Sequence, residues 1–378
     1  MVAKTNARVD WVDYSKGICI IAVVCLYTTQ HVQDPNGALS WMLYWVDFAR
    51  PFRMPDFFLI AGLFLSRTID APWRRYLDKK VVHFFYFFAL WTTIYFVLHA
   101  APYNAVALSH HRWSDYLTWY VEPFHMLWFI EMLPIYFVVT RLLKSVPWPV
   151  VLVAAAILQM LDLHLDAEYA QVNRFCARYV YFYAGYKFAP MFFRFAEWAR
   201  TNESTSGTAL LGWALVNETL VLAGVSQDPG IGLLLGFAGA GGVIVTGCLL
   251  SRANWTGWIR YLGQNSIVVF LSFFVFTLIT NVMLKKLGII DDLGTRQLIV
   301  TCVAVAGPVL AYRAVRNTPM SFLFSRPAWA RLRLGATLDN LARTADVAAR
   351  QLEAALGTVA ADAAIPPVKT LPDSRLAS

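Results

Sequence analysis

The first apolar run of the chain closes on Tyr27-Thr28-Thr29-Gln30-His31, an unusual cluster of polar side chains for the end of a hydrophobic helix. A neutral imidazole, with an ordinary pKa of about 6.5, can accept a proton from a hydroxyl at neutral pH, which makes His31 a candidate general base. Tyr27 stands four residues earlier, on the same helical face and about 6 Å away along the axis. With a phenolic pKa of about 10 it is a poor base, but it can orient a partner or donate a hydrogen bond. Both rings also suit a membrane–water interface, where amphipathic aromatic groups gather.

Ionisable residues inside apolar segments form the second set of candidates. Each costs about 2.5–3.5 kcal/mol on insertion scales, so each calls for a partner or a role. Asp47, Arg50, Arg53 and Asp56 recur every three residues in one segment, where Asp47 and Arg50 read as an internal ion pair. Glu131 follows His125 on another, Arg174 and Arg178 stand one turn apart on a third, and Asn217-Glu218 falls within a fourth. Glu131, Arg53 and Arg178 point to a polar cavity. The stretch PWRRYLDKKVVHFF carries Arg74, Arg75, Lys79 and Lys80 just before an apolar helix, a pattern suited either to anionic lipid or to a phosphate-bearing ligand.

The seven histidines offer no HxxxH or HExxH spacing, and the five cysteines form no CxxC pair, so a metal or redox centre is not expected. The cysteines fall in or beside apolar segments and read as small core residues. His99, His110 and His111 read as ordinary solvated loop residues.

These side chains need elements to hold them. Of the 378 residues, 58% are hydrophobic and only 15% charged, against about 25% charged in a soluble domain, so a polytopic membrane protein is expected. Apolar segments lie at roughly 17–31, 42–66, 81–98, 124–143, 148–164, 175–192, 207–225, 230–250, 264–284 and 297–315, giving an all-α fold of about ten transmembrane helices. The second is interrupted by Arg50-Pro51 and Pro55, the mark of a broken helix. No small-residue cleavage site follows the first, which reads as an uncleaved span.

Alternate loops are rich in Lys and Arg, and the positive-inside rule then places both termini in the cytoplasm. That orientation sends His31, His99, His110, His111, His125 and His164 to the outer side and leaves His83 inside. The net charge of +8 is spread over these loops rather than gathered in one patch, which argues against nucleic acid as a partner. Residues 1–316 form the expected membrane domain. Residues 317–378 form a cytoplasmic tail, with an amphipathic helix at about 327–357 suited to a membrane surface or a partner, then a disordered end at Pro366-Pro367. No internal repeat is evident.

Several stretches resemble the acyltransferase-3 family of integral-membrane O-acyltransferases. Val12-Asp13-Tyr14-Ser15-Lys16-Gly17-Ile18 is similar to the family's (L/V)D-x-x-(R/K)-G-I core, and MPDFFLIAGLFLS (Met54–Ser66) to its PxFFxxSGFL segment, with Ala61 where serine is usual. YLDKKVVHFFY resembles the RxxR entry to the third span, with Lys80 and His83 in place of the arginines. HMLWFIEMLP looks like the HxxWFL motif, while RYVYFYAGY and LGQNSIVVFL resemble the sixth and ninth spans. The resemblance covers about residues 8–316 and is nearest the branch that contains the succinyltransferase of periplasmic glucans.

The resemblance implies acyl transfer from cytoplasmic acyl-CoA, as donor substrate with no bound cofactor, to a hydroxyl of an extracytoplasmic glycan. It also implies a bacterial inner membrane. Lys79, Lys80 and His83 would meet the donor. Arg50, Arg53, Arg178, His125 and Trp128 would meet substrate, with the arginines able to steady a carboxylate or an oxyanion.

One departure matters most. Counting from Lys16, the family's first-span histidine should stand at position 27, where this chain has Tyr27. The ninth span likewise has Phe273 seven residues after Ser266, where many members have histidine. Three readings of the polar cluster follow. His31 serves as base with Tyr27 beside it and Glu131 or Asp56 orienting the imidazole; or catalysis is lost and the protein assists glycan or lipid-linked sugar export; or the two rings only sit at the interface.

Overall fold

The computed structural model describes residues 9–33, 40–100, 113–123, 125–161 and 169–332. Among these residues there is no strand, and the fold is all-helical. In chain order the helices are α1 (Asp10–His31), α2 (Met42–Phe48), α3 (Arg53–Leu63), α4 (Trp73–Leu77), α5 (His83–Ala100), α6 (Trp113–Thr118), α7 (Trp128–Leu142), α8 (Trp148–Met160), α9 (Ala170–Lys187), α10 (Ala189–Thr201), α11 (Glu203–Leu222), α12 (Ile231–Leu250), α13 (Gly257–Gln264), α14 (Ser266–Leu287) and α15 (Leu293–Val315). Five stretches are long and apolar enough to cross a membrane: α1, Trp73–Leu98, α12, α14 and α15. The shorter or more polar helices α7, α8, α9 and α11 fall where further spans were expected. Two short amphipathic helices, α10 and α13, were not anticipated.

The expected break in the second segment is real. Met42–Phe48 and Arg53–Leu63 are separated at Ala49–Phe52, where Pro51 has no amide proton to give to a helical bond. Between α4 and α5, Asp78–Val82 form one π-helical turn, so the rod from Trp73 onward is continuous but carries an extra residue.

α1 is the axis of the bundle, packed against α3, α12, α13, α14 and α15. Close approach is set by small residues. A Cβ at Gly263 would overlap the Asp13 carbonyl, and one at Gly17 would overlap the Ile259 carbonyl, so α13 lies directly on the first half of α1. The buried core is dominated by aromatic rings, among them Phe58, Trp128, Phe129, Tyr136, Phe182 and Phe270.

The chain divides into two compact units, Met1–Arg331 and Leu332–Ser378. The first runs past the expected boundary at residue 316. Residues 319–331 lie along α5, where Tyr86 Oη donates to Phe322 O at 3.0 Å and Trp91 Nε1 to Leu323 O at 3.0 Å. The tail helix expected at about 327–357 falls outside the described residues after Leu332.

Candidate functional site

The polar end of α1 divides its side chains among three surroundings. Thr28 and Thr29 face the core. Thr28 Oγ1 hydrogen-bonds Thr301 Oγ1 on α15 at 2.6 Å, and Gln297 Nε2 donates to the carbonyls of Thr29 at 3.3 Å and Val32 at 2.6 Å. The two threonines therefore serve to fasten α1 to α15. Tyr27 and Gln30 instead line a cavity of about 420 Å³. His31 lies at the exposed end of the helix with its ring 5.0 Å from that of Phe274, and it does not line that cavity.

The Tyr27 cavity is built from α1, the break before α3 and the first turn of α3, the start of α7, the end of α8, α9, and the loop that precedes α12. Arg50, Arg53, Trp128, Gln159, Arg174, Arg178, Tyr181 and Gln227 line it beside Tyr27, with no carboxylate among the described lining residues. Trp128 Nε1 donates to Tyr27 Oη at 3.0 Å. The guanidinium of Arg178 lies 4.9 Å from the centre of the same indole ring, and that of Arg174 5.7 Å. Arg50 is paired with Asp47, as its spacing predicts, and stands exposed at the rim. Arg53 is buried and donates from Nη1 to Val46 O at 2.9 Å.

A second cavity, of about 560 Å³, opens at the other end of α1. Asp13, Lys16, Arg67, Lys80, Gln264 and Ser266 supply its polar groups, while Phe57, Phe64, Phe84, Phe129, Phe137 and Phe270 supply its apolar wall. Asp13 Oδ2 accepts from Gln264 Nε2 at 3.1 Å, which ties the two motif-bearing segments together across the α1–α13 contact. Lys80 Nζ sits 4.3 Å from the centre of the Phe137 ring. The cavity thus pairs cations with a long apolar face, a combination suited to a ligand that has a phosphate end and a hydrophobic end.

Both cavities draw on the first turn of α7. Trp128 lines one and its chain neighbour Phe129 lines the other. Aromatic rings pack around this pair: the ring centre of Phe58 lies 4.8 Å from that of Phe129 and 6.0 Å from that of Trp128, that of Phe57 lies 5.2 Å from Phe129, and that of Tyr27 lies 5.8 Å from Phe273. Phe273, seven residues after Ser266, packs directly against the Tyr27 ring.

Of the remaining sequence candidates, Lys79, His83, Glu131 and Asp56 fall outside these linings. Lys79 is exposed on the π-helical turn, and His83 packs its ring against Phe84 and Phe87. Glu131 accepts from Gln171 Nε2 at 2.8 Å rather than reaching either ring of the Tyr27–His31 pair. Asp56 is fully buried, and neither of its oxygens has a hydrogen-bond partner among the described residues. The orientation expected for the His31 imidazole through Glu131 or Asp56 is therefore not what the geometry displays. His125 starts a short 3₁₀ turn that leads into α7, and its side chain lies outside the described residues. His110, His111 and His164 also lie outside them.

Sequence reasoning passed over Lys16, Arg67, Gln264 and Ser266 as lining residues of one cavity, and Arg174, Gln159 and Gln227 as lining residues of the other. The one-turn spacing of Arg174 and Arg178 was a usable signal. Gln159 and Gln227 sit near helix ends far apart in sequence, and nothing local marks them.

Residues 9–313 match the family model described as an acyltransferase domain. Over 161 residues the chain is 29% identical to the inner membrane protein YcfT of Escherichia coli (strain K12), a match covering 37% of this chain and 45% of that protein. The chain thus matches less than half the length of that relative. No solved structure matches it. With long apolar helices and a family match over nearly the whole described bundle, the chain belongs to the acyltransferase-3 family of membrane proteins.

Proposed function

We propose that the protein is a membrane O-acyltransferase that moves an acetyl or succinyl group from acyl-CoA to a hydroxyl of an extracytoplasmic glycan. The observation that carries this reading is the pair of chemically different cavities, one arginine-rich and one with cations beside an apolar wall, lined by the chain neighbours Trp128 and Phe129 respectively. A carrier that only opens alternately needs no second, chemically different chamber. A transferase whose donor and acceptor come from opposite faces does.

In this reading about ten spans cross a bacterial inner membrane, and both termini lie in the cytoplasm. The cavity at the N-terminal end of α1 then faces the cytoplasm. Lys16, Arg67 and Lys80 meet the phosphates of the donor, with Lys79 and His83 beside its entrance, while the phenylalanine wall takes the pantetheine and acyl portion. The Tyr27 cavity receives the glycan. The acyl end of the donor moves through the bundle past Phe129 and Trp128 to meet the glycan, and the hydroxyl oxygen attacks the thioester carbonyl, so that a C–O bond forms as the C–S bond breaks. The hydroxyl proton passes to a base, and CoA leaves as a thiolate that is protonated in turn. Tyr27, fixed by Trp128, orients the hydroxyl, and His31, one turn further along α1 and outside the cavity lining, is the base that takes the proton.

A second reading is a non-catalytic member that assists glycan or lipid-linked sugar export. It is favoured by one observation: the ring in the cavity at position 27 is a phenol, while the nearby imidazole of His31 lies outside the lining.

Ester content of the producing cell's surface and periplasmic glycans, measured by mass spectrometry, separates the two. A deletion strain is compared after complementation with wild type, Lys80→Gln or His31→Ala at matched membrane levels. Esters lost on deletion, restored by wild type and not by Lys80→Gln, support transfer. Unchanged esters in every strain sink it. Restoration by His31→Ala removes His31 from the mechanism without touching the rest.

A further inference from the structure

The Tyr27 cavity carries more positive charge than hydroxyl chemistry alone needs. Arg53 on α3 and Arg174 and Arg178 on α9 converge on it, and no carboxylate lines it among the described residues. Arg53 is only 8% exposed, yet its Nε has no hydrogen-bond partner among the described residues. Arg174 Nη1 is buried and equally unpartnered. None of the three arginines makes an ion pair there with another described residue lining the cavity. A buried guanidinium left unpaired is costly, and a fork of N–H donors matches the two oxygens of a carboxylate. The N-terminus of α3 begins at Arg53, so its helix dipole adds to the positive potential at the same place.

We propose that this cavity is a carboxylate-binding site, completed by the free carboxylate of a small organic group. Two sources fit that chemistry. One is the distal carboxylate of a dicarboxylic acyl group, as in a succinyl half-ester. The other is a uronic-type carboxylate on the acceptor. Arg53 and Arg178 hold the carboxylate and Arg174 supplies the third set of donors. The place of this site in catalysis rests on the acyl-transfer reading; its capacity to bind does not.

Calorimetric titration of the full chain in lipid nanodiscs tests the proposal. Methyl succinate probes the acyl source and glucuronate the acceptor source, with methyl acetate and glucose as their uncharged counterparts. At least one carboxylate is expected to bind about tenfold or more tighter than its counterpart, and to weaken about tenfold in Arg53→Gln and in Arg178→Gln. Arg200→Gln, which alters an exposed residue paired with Glu197 on α10, should bind as wild type does. Selective binding of methyl succinate assigns the acyl group, selective binding of glucuronate assigns the acceptor, and binding of both retains the site for either.

If the Gln variants do not fold, Arg53→Lys and Arg178→Lys keep the charge but lose the fork, and the same weakening is expected. Equal binding of charged and uncharged probes, or binding unchanged in the arginine variants, overturns the site. Carboxylate binding in a protein that restores no glycan ester would retain the site and remove acyl transfer. Ester formation without carboxylate binding would do the reverse.

Discussion

The indole nitrogen of Trp128 donates to the phenolic oxygen of Tyr27 at 3.0 Å while the guanidinium of Arg178 lies 4.9 Å from the centre of the same ring. One tryptophan therefore couples α1, α7 and α9 beside the Tyr27 cavity. Tyr27→Phe keeps the ring packing on Phe273 but leaves the indole N–H without this acceptor, a loss of about 1–3 kcal/mol. Glycan ester formation is expected to fall about tenfold or more, with the protein still present in the membrane at wild-type level. Tyr27→His restores an acceptor nitrogen and places an imidazole in the cavity, and is expected to recover or exceed wild-type ester content. Equal esters from wild type and Tyr27→Phe would place Tyr27 outside the reaction.

The π-helical turn Asp78–Val82 carries Lys79 and Lys80, and it is held from outside by a residue nearly 250 positions later. Arg326 Nη2 meets Asp78 Oδ2 at 2.7 Å, and its Nη1 donates to Asp78 O at 2.8 Å. The Arg326 side chain is 8% exposed and that of Asp78 16%, so solvent screens the pair little. Arg326→Ala is expected to loosen the turn and with it the position of Lys80 in the cavity. The measured consequence is a KM for acyl-CoA raised about fivefold to tenfold, with kcat changed less than twofold. A fall in kcat at unchanged KM would contradict this positioning role.

Much of this arrangement was legible in the sequence, and the residues say why. The break at Arg50–Pro55 is chemical, because proline cannot donate, and it appeared where the prolines stand. Long apolar helices such as α12 and α15 declare themselves by length. α9 is harder to read: Arg174, Arg178 and four tyrosines make it polar by composition, and only packing across α3 explains why it is buried. Position 27 was marked by the polar cluster at the end of the first apolar run, and the family pattern added only that a histidine is usual there. The separation of His31 from Tyr27 depends on which neighbour each ring meets, Phe274 or Phe273, and local spacing carries no such information. Arg326 lay in a region read as tail because nothing in its own segment reveals that Asp78 is its partner.

Asp292 caps the N-terminus of α15. It accepts from the Thr295 amide at 2.6 Å and from Trp41 Nε1 at 3.2 Å, and these bonds hold its carboxyl below the usual value. Because the folded form is the stronger acid, the cap contributes fully above the unfolded carboxylate's pKa, about 3.9. The contribution is lost as pH falls through the lower folded value. Hydrogen exchange at the start of α15 should therefore stay slow from neutral pH down to about 4 after correction for intrinsic rates, and quicken below that. Asp292→Ala should show the fast rate at every pH. Identical protection in the variant and wild type would show that the cap does not hold this end of the helix.

The contact of α13 on α1 explains why a glycine follows the lysine in the Asp13–Gly17 motif. Gly263 meets the Asp13 carbonyl, Gly17 meets the Ile259 carbonyl, and the same two segments share the Asp13–Gln264 hydrogen bond and the Arg260–Asp10 ion pair at 2.7 Å. A methyl group at either glycine must push the helices apart, at a cost of about 1–3 kcal/mol. Gly263→Ala and Gly17→Ala should each lower the unfolding midpoint of the purified protein. Their effects should not add: once one methyl has separated the helices, the second finds part of its space already made. A double variant less destabilised than the two single losses combined is expected. Full additivity would mean that the two glycines sit in independent contacts, and that the motif is not a single packed unit between α1 and α13.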